Sequence, residues 1–248
     1  MLIIWALYDD AKSSYKCAIQ KYFNDVELEV YSIGINDIAF KEKEKFFYKK
    51  IDLSLINFNL INQLNELPKP DIILASPPCE SWSGADCKGR MFSSINENHS
   101  WEIKNKKFYE KYNNDCHPVK RRYFNQKEKG RILGEATIGA TIEIIEHFEP
   151  KVWVIENPQT SLTWKFQKYH WEFNGNLNLA CYSAYDSNYS LKPTIFKSNI
   201  KLDLKKDRVK GNKAHMAKGS YDMRSSIPEL LIKDLFEQIL NSKELNNE

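Results

Sequence analysis

Glycine is scarce in this chain, nine residues of 248. The turn between the first apolar segment and the first helical one, Leu7–Ser14, has none. The close backbone approach that glycine allows at such a turn is therefore missing. Cysteine is sparse as well: Cys17, Cys79, Cys87, Cys116 and Cys181 are odd in number and widely spaced. They make no disulfide framework, so reduced thiols and a cytoplasmic location are expected. No apolar run approaches the roughly 20 residues of a membrane span. The opening run Leu2–Leu7 is too short for a signal peptide and has no basic residues before it. Internal repeats and low-complexity linkers are absent too.

What is there is a soluble globular composition, 42% hydrophobic and 28% charged, in a chain long enough to bury a substantial core. Residues 1–248 read as a single domain. The net charge of +3 is unevenly spread. Residues 85–130 hold 11 Lys/Arg against 6 Asp/Glu, residues 201–220 hold 7 against 2, and the remainder is acidic. Such asymmetry permits an anionic partner such as nucleic acid.

The pattern alternates strands and helices. Strands are predicted at Leu2–Leu7, Val26–Ile33, Phe46–Ile51, Asp71–Ala75, Lys151–Ile155, Leu177–Tyr182 and Thr194–Phe196. Helices are predicted at Ser13–Tyr22, Leu55–Leu64, Gly130–Phe148, Thr160–Gln167 and Ile227–Leu240, the last with Pro228 in its first turn. Residues 84–129 are polar, basic and aromatic and read as irregular. This alternation predicts an α/β fold with a mostly parallel sheet covered on both faces. Active sites in such sheets lie at the carboxyl ends of strands. Two of the strands end in unusual sequences, Ser76-Pro77-Pro78-Cys79 and Glu156-Asn157-Pro158.

A cysteine is more often a packed core residue than a reactive one. The two prolines before Cys79 change that weighting, because they hold the chain rigid and extended just past a buried strand. Cys79 is thereby kept at the strand's mouth. A zinc deaminase pattern fails, since Trp82 stands three residues on and no His-x-Glu precedes it. None of the histidines carries the local signature of a thiol protease. Cys87, Cys116 and His117 lack a diagnostic zinc spacing. The remaining chemistry is attack on a pyrimidine ring. A thiolate adding to carbon 6, with a proton supplied at N3, makes carbon 5 nucleophilic enough to take a methyl group. That requires one thiolate and one carboxyl group together in a dry pocket. Glu156, directly after Lys-Val-Trp-Val-Ile, supplies the carboxyl group at a buried strand's end.

Ser76-Pro77-Pro78-Cys79-Glu80-Ser81-Trp82-Ser83 resembles the Pro-Cys motif of DNA cytosine-5 methyltransferases. Val154-Ile155-Glu156-Asn157-Pro158 resembles their Glu-Asn-Val motif, in the form associated with short phage-like and mobile-element members. Lys192-Pro193-Thr194-Ile195-Phe196 and Arg224-Ser225-Ser226-Ile227-Pro228 are also similar to those members. The resemblance covers most of the chain except about 85–130, and implies a Rossmann-like S-adenosylmethionine-dependent methyltransferase fold. It implies Cys79 as nucleophile and Glu156 as proton donor to N3. It implies S-adenosylmethionine as cofactor, with Tyr8, Asp9, Ser13, Asn36, Asp52 and Pro77 around it. Asp52 would meet the adenine, Asn36 or Asp37 the ribose, and Ser13 or Ser14 the methionine carboxylate at a helix N-terminus. Around the substrate it implies Ser76, Pro78, Asn157 and Pro158, with Lys192 in place of the family's Gln-x-Arg. The first motif departs from the family's Phe-x-Gly-x-Gly-Gly, with Tyr8 in the Phe place and no glycine.

The partner implied is DNA, duplex in form, with no membrane and with a cognate restriction endonuclease as a further partner of such enzymes. In the insertion Arg90, Lys104, Lys106, Lys107, Lys120, Arg121 and Arg122 interleave with Trp101, Phe108, Tyr109, Tyr112 and Tyr123. Cations there neutralise phosphates and aromatics stack on bases. Two alternatives stay open: a non-catalytic DNA-binding relative, which the missing glycines would explain, and the same chemistry on RNA.

Overall fold

The computed structural model describes residues 1–9, 13–37, 44–83, 92–94 and 101–246. Its centre is a seven-stranded sheet in the order β3-β2-β1-β4-β7-β9-β8. The strands are β1 (Leu2–Leu7), β2 (Leu28–Gly34), β3 (Phe46–Lys50), β4 (Ile72–Ala75), β7 (Val152–Pro158), β8 (Asn176–Cys181) and β9 (Pro193–Ser198). A separate short hairpin pairs β5 (Phe92–Ser94) with β6 (Trp101–Ile103). β1, β2, β3, β4 and β7 run parallel, and β9 is antiparallel to both its neighbours, β7 and β8. The fold is thus α/β with a mostly parallel sheet, compatible with a Rossmann-like arrangement.

β1 and β4 are continuous apolar runs because each is covered on both faces. Along β1, Ile4 and Ala6 turn to one core while Ile3, Trp5 and Leu7 turn to the other. The first core is closed by α1 (Ser14–Tyr22) and by α8 (Glu229–Leu240), which follows the short α6 (Lys213–Lys218) and α7 (Tyr221–Ser225), through Tyr15, Ala18 and Ile19 on α1 and Leu231, Leu235 and Phe236 on α8. The second is closed by α4 (Phe124–Phe148) and α5 (Thr163–Tyr169), through Ile138, Ile142 and Ile145 on α4 and Trp164 and Phe166 on α5. Among the described residues no helix is long and apolar enough to cross a membrane. Cys17, Cys79, Cys116 and Cys181 are free thiols, and Cys87 lies outside the described residues.

Several expectations differ from this structure. The helix expected at Leu55–Leu64 is only α2, Leu60–Asn65. Asn57 accounts for the delay: its side chain bonds the Asp52 carbonyl and Gln63 and accepts from the Asn59 amide, offering the backbone a turn in place of a helix. The insertion is partly helical, with α3 at Lys106–Asp115 capped by Asn105. α4 begins six residues before Gly130, at Phe124, where Arg131 bridges Glu128 and Glu135 on one helix face. Pro228 stands at the N-cap of α8 and not inside it. Arg90 lies outside the described residues. Tyr109, expected among the exposed base-stacking aromatics, is buried at 1% exposure in the second core, because α3 packs that face inward.

Candidate active site at the carboxyl ends of the parallel strands

After β3 the chain crosses back and lays β4 on the far side of β1, so the strand order reverses between β1 and β4. In open α/β sheets the ligand crevice lies outside the carboxyl ends at such a switch point. The segments that emerge there are Tyr8-Asp9 after β1, Ser76–Ser83 after β4 and the Glu156-Asn157-Pro158 end of β7.

The loop after β4 is held from several sides. The Ser76 amide donates to the Leu7 carbonyl and its Oγ lies 2.9 Å from the Tyr15 hydroxyl. Asn157 Nδ2 donates to the Pro77 carbonyl at 3.0 Å. The Cys79 carbonyl accepts from the amides of Trp82 (3.1 Å) and Ser83 (2.9 Å), closing a turn that seats Trp82 in the core. Gly134 on α4 makes this seat, since a Cβ there would lie 2.2 Å from Ser81 Oγ and 2.8 Å from Trp82 Nε1. Pro77 is buried, Pro78 and Cys79 are half-buried, and Glu80 is exposed.

The strand expected to end at Ile155 continues through Pro158. β9 supplies the reason: it carries the backbone ladder onward, pairing Glu156 with Phe196, Asn157 with Ile195 and Pro158 with Thr194. Glu156 is therefore a strand residue, 8% exposed, whose Oε1 accepts from the Tyr182 hydroxyl at 3.0 Å. Cys79 and Glu156 share one electrostatic neighbourhood. The thiol is pushed up to about 11, first by burial, then by the charges of Glu80 and Glu156. Lys192 and a hydrogen bond with Ser83 act in the opposite sense. Lys192 is held beside the site: its Nζ donates to the Arg224 carbonyl at 3.0 Å and lies 4.5 Å from the centre of the Tyr182 ring.

No family model and no curated protein matches this chain.

The residues expected around the cofactor fall along the same strand ends but differ in what their side chains do. Asp9 is buried, and its carboxylate accepts from the Tyr15 amide at 3.2 Å and from Ser32 Oγ at 3.0 Å, tying the start of α1 to β2. The Tyr8 hydroxyl sits between the Leu53 and Thr137 carbonyls and accepts from Thr141 Oγ1, which links the loop after β3 to α4. Burial, with the charge of Asp52 adding to it against the Thr141 bond, raises the Tyr8 phenol well above its ordinary range. Asp52 is exposed, as are Asn36 and Asp37, and Asp37 pairs with Lys50. Ile35, Ile56 and Phe58 lie among these polar groups in the chain and are exposed at 60%, 56% and 99%. Residues 10–12, the middle of the first loop, lie outside the described residues.

The turn lacking glycine takes glycine's conformation regardless. Tyr8 and Ser13 have φ of 53° and 51°, and Lys192 has φ of 25°. Each costs on the order of 1–2 kcal/mol for a residue with a Cβ, and such strain concentrates at functional sites. Ser13 makes no side-chain cap for α1, while Ser14 Oγ accepts from the Ile227 amide at 3.3 Å. The backbone of Arg122 ties the insertion to itself, exchanging two bonds of 2.7 Å with the Asn113 side chain, and Arg121 is exposed beside it. Tyr182 and Tyr15 were not legible as site residues. Their only sequence signal is aromatic character near a strand end or on a helix's inner face, which packing alone would explain.

Proposed function

We propose that this chain is an S-adenosylmethionine-dependent DNA cytosine-5 methyltransferase, acting on a cytosine flipped out of the duplex. The observation that carries this reading is that Cys79 and Glu156, at the ends of neighbouring parallel strands, lie within each other's electrostatic reach beside Lys192. The donor set along the strand ends fits the cofactor: carboxylates at Asp52 and Asp37 suit its hydroxyl and amino groups, and exposed Ile35 and Phe58 suit an aromatic base. When bound, S-adenosylmethionine supplies an electrophilic methyl group.

The chain's own residues do the rest. Cys79, as thiolate, adds to carbon 6 and forms an S–C bond. Glu156 gives its proton to N3, which takes up the negative charge that this addition would leave on the ring. After carbon 5 is methylated, its proton leaves to a base, the S–C bond breaks, the thiolate departs with the bonding pair, and the Glu156 carboxylate takes back the N3 proton, so the base leaves neutral. Pro77, Pro78 and Asn157 fix the loop, and Lys192 lowers the cost of the thiolate.

Fluorine at carbon 5 cannot leave as a cation, so the adduct should persist. Duplex DNA containing 5-fluorocytosine, with cofactor, is expected to give a denaturant-resistant complex with the wild type and none with Cys79→Ala. Glu156→Gln should form it more slowly by ~10²–10⁴-fold, the usual cost of losing general acid help. Methylation by Cys79→Ala at the wild-type rate would refute the mechanism. The non-catalytic reading is favoured by the glycine-free first loop and by a thiol held protonated, and it expects no adduct with any duplex. An adduct confined to 5-fluorocytosine RNA would move the activity to RNA.

A further inference from the structure

We infer that Tyr182 is a positioning residue for Glu156: its hydroxyl selects which carboxyl oxygen holds the proton and stabilises the carboxylate once that proton has left. This rests on the proposed function for the acceptor of the proton, though not for the Tyr182–Glu156 coupling itself.

Tyr182 opens a short 3₁₀ turn, Tyr182–Ala184, at the carboxyl end of β8. β9 separates β8 from β7, so the side chain spans the width of β9 to place its hydroxyl 3.0 Å from Glu156 Oε1. Both residues are buried, Tyr182 completely. Thr194 on β9 also reaches the phenol oxygen with its hydroxyl. Among the described residues the ionisable groups around this pair include Tyr15 from α1, Cys79 from the loop after β4, Lys192 from the segment before β9 and Tyr189, whose ring meets that of Tyr182 edge-on at 5.9 Å. Burial, then the negative charge of Glu156, raises the Tyr182 phenol well above its ordinary range. The phenol therefore keeps its proton throughout neutral pH and acts toward Glu156 as a donor.

A carboxylic acid that accepts at Oε1 carries its own proton on Oε2. When that proton passes to a ring nitrogen, negative charge appears on Glu156 in a nearly dry site. The Tyr182 bond then becomes charge-assisted and stronger. An interaction that strengthens as charge develops accelerates the step that develops it. Lys192 over the ring withdraws electron density from the phenol and sharpens its donor character. The plain alternative is a buried tyrosine that satisfies its hydroxyl with the nearest acceptor.

The coupling is read by titrating Glu156 in full-length protein carrying carboxyl-¹³C glutamate, with Glu156→Gln identifying the resonance, and the two roles are separated by the loss in kcat that only positioning predicts. In Tyr182→Phe the Glu156 midpoint is expected to move upward, because the carboxylate has lost a donor. In methyl transfer, Tyr182→Phe should lower kcat by roughly 10- to 100-fold, the worth of a hydrogen bond to a charged group, with KM unchanged. It should add nothing on a Glu156→Gln background. An unmoved midpoint in folded Tyr182→Phe overturns the inference, whatever the activity. If Tyr182→Phe does not fold, the wild-type Tyr182 ring carbon bearing the hydroxyl is followed instead. Its shift should step at the Glu156 midpoint, and a shift that ignores that midpoint overturns the inference. Should the wild type transfer no methyl group and form no adduct, the proposed function fails, while the titration still decides the coupling.

Discussion

Burial and two neighbouring carboxylates hold the Cys79 thiol up to about 11, the reverse of the electropositive setting that usually activates a cysteine. A thiolate is therefore scarce at neutral pH until something in the site changes. Protonation of Glu156 removes one of the two opposing charges, so the state that donates to N3 is also the state that tolerates the thiolate. Alkylation of Cys79 by iodoacetamide, followed by peptide mass spectrometry, should be slow below pH 9 and climb above it. Glu80→Gln should speed it at pH 8 and Lys192→Met should slow it. Equal rates in all three proteins would show that these charges do not govern the thiol. Lys197 is a second unusual residue. It is 3% exposed on β9, and its Nζ donates to Gln167 Oε1 and the Phe173 carbonyl, both neutral. Burial lowers its pKa to about 8. The unfolded chain holds that proton to about 10.4, so between those values the unfolded state binds more protons and stability from this group rises with pH. Buried tyrosines and Cys79 titrate with the opposite sign in overlapping windows, so the comparison with Lys197→Met isolates the effect. From pH 7 to 10 the wild type should gain on the order of 2–3 kcal/mol relative to that variant in urea unfolding. A constant difference would refute the assignment.

Elements end here in ways that a glycine-poor sequence makes costly. α4 closes on Glu149, which is exposed and left-handed at φ 47°, its amide bonded to the Ile145 carbonyl. Glycine is the usual residue at that position because it has no Cβ to clash. Glu149→Gly should raise stability by about 1 kcal/mol, the left-handed penalty less the added freedom of the unfolded chain. Thermal unfolding measures it, and a lower midpoint would contradict it. The segment after β9 has no regular structure from 201 to 212, yet it is tied at nearly every second residue. Cys181 donates its amide to the Lys205 carbonyl, Ser183 Oγ donates to the Val209 carbonyl, and the Asn212 amide reaches the Tyr189 carbonyl. This strap covers the carboxyl end of the outer edge of β8, where an uncovered edge would invite pairing with another chain.

Across the whole molecule, the two basic stretches have different footing. Lys205, Lys206, Arg208 and Lys210 are exposed on the strap, which passes one residue from Tyr182 at its bond to Ser183. Lys120 and Arg121 are exposed in the insertion, beside the exposed Val119 and Tyr123. If the proposed function holds, both stretches neutralise phosphates. Replacing Lys205, Arg208 and Lys210 with Ala should weaken duplex binding and flatten the slope of log affinity against log salt by about one for every phosphate no longer neutralised. Replacing Lys120, Arg121 and Arg122 should do the same. A slope unchanged in either triple variant would remove that stretch from the interface.

The strand ends that carry Cys79 and Glu156 were legible from sequence, because buried parallel strands are continuous apolar runs and the residues following them here are chemically abrupt. The two basic stretches and the closing amphipathic helix were legible for the same local reasons: composition and period. The rest depended on partners distant in the chain. Tyr182 reaches Glu156 across 26 residues and Tyr15 reaches Ser76 across 61. The extension of β7 through Pro158 depends on β9, and the burial of Tyr109 on the packing of α3. Asp9 is turned into the fold by Ser32 and the start of α1, which no local pattern announces. Periodicity reports which side of an element is apolar. It does not report which polar group on another element will lie within hydrogen-bond distance, and that is set when the strands take their order in the sheet.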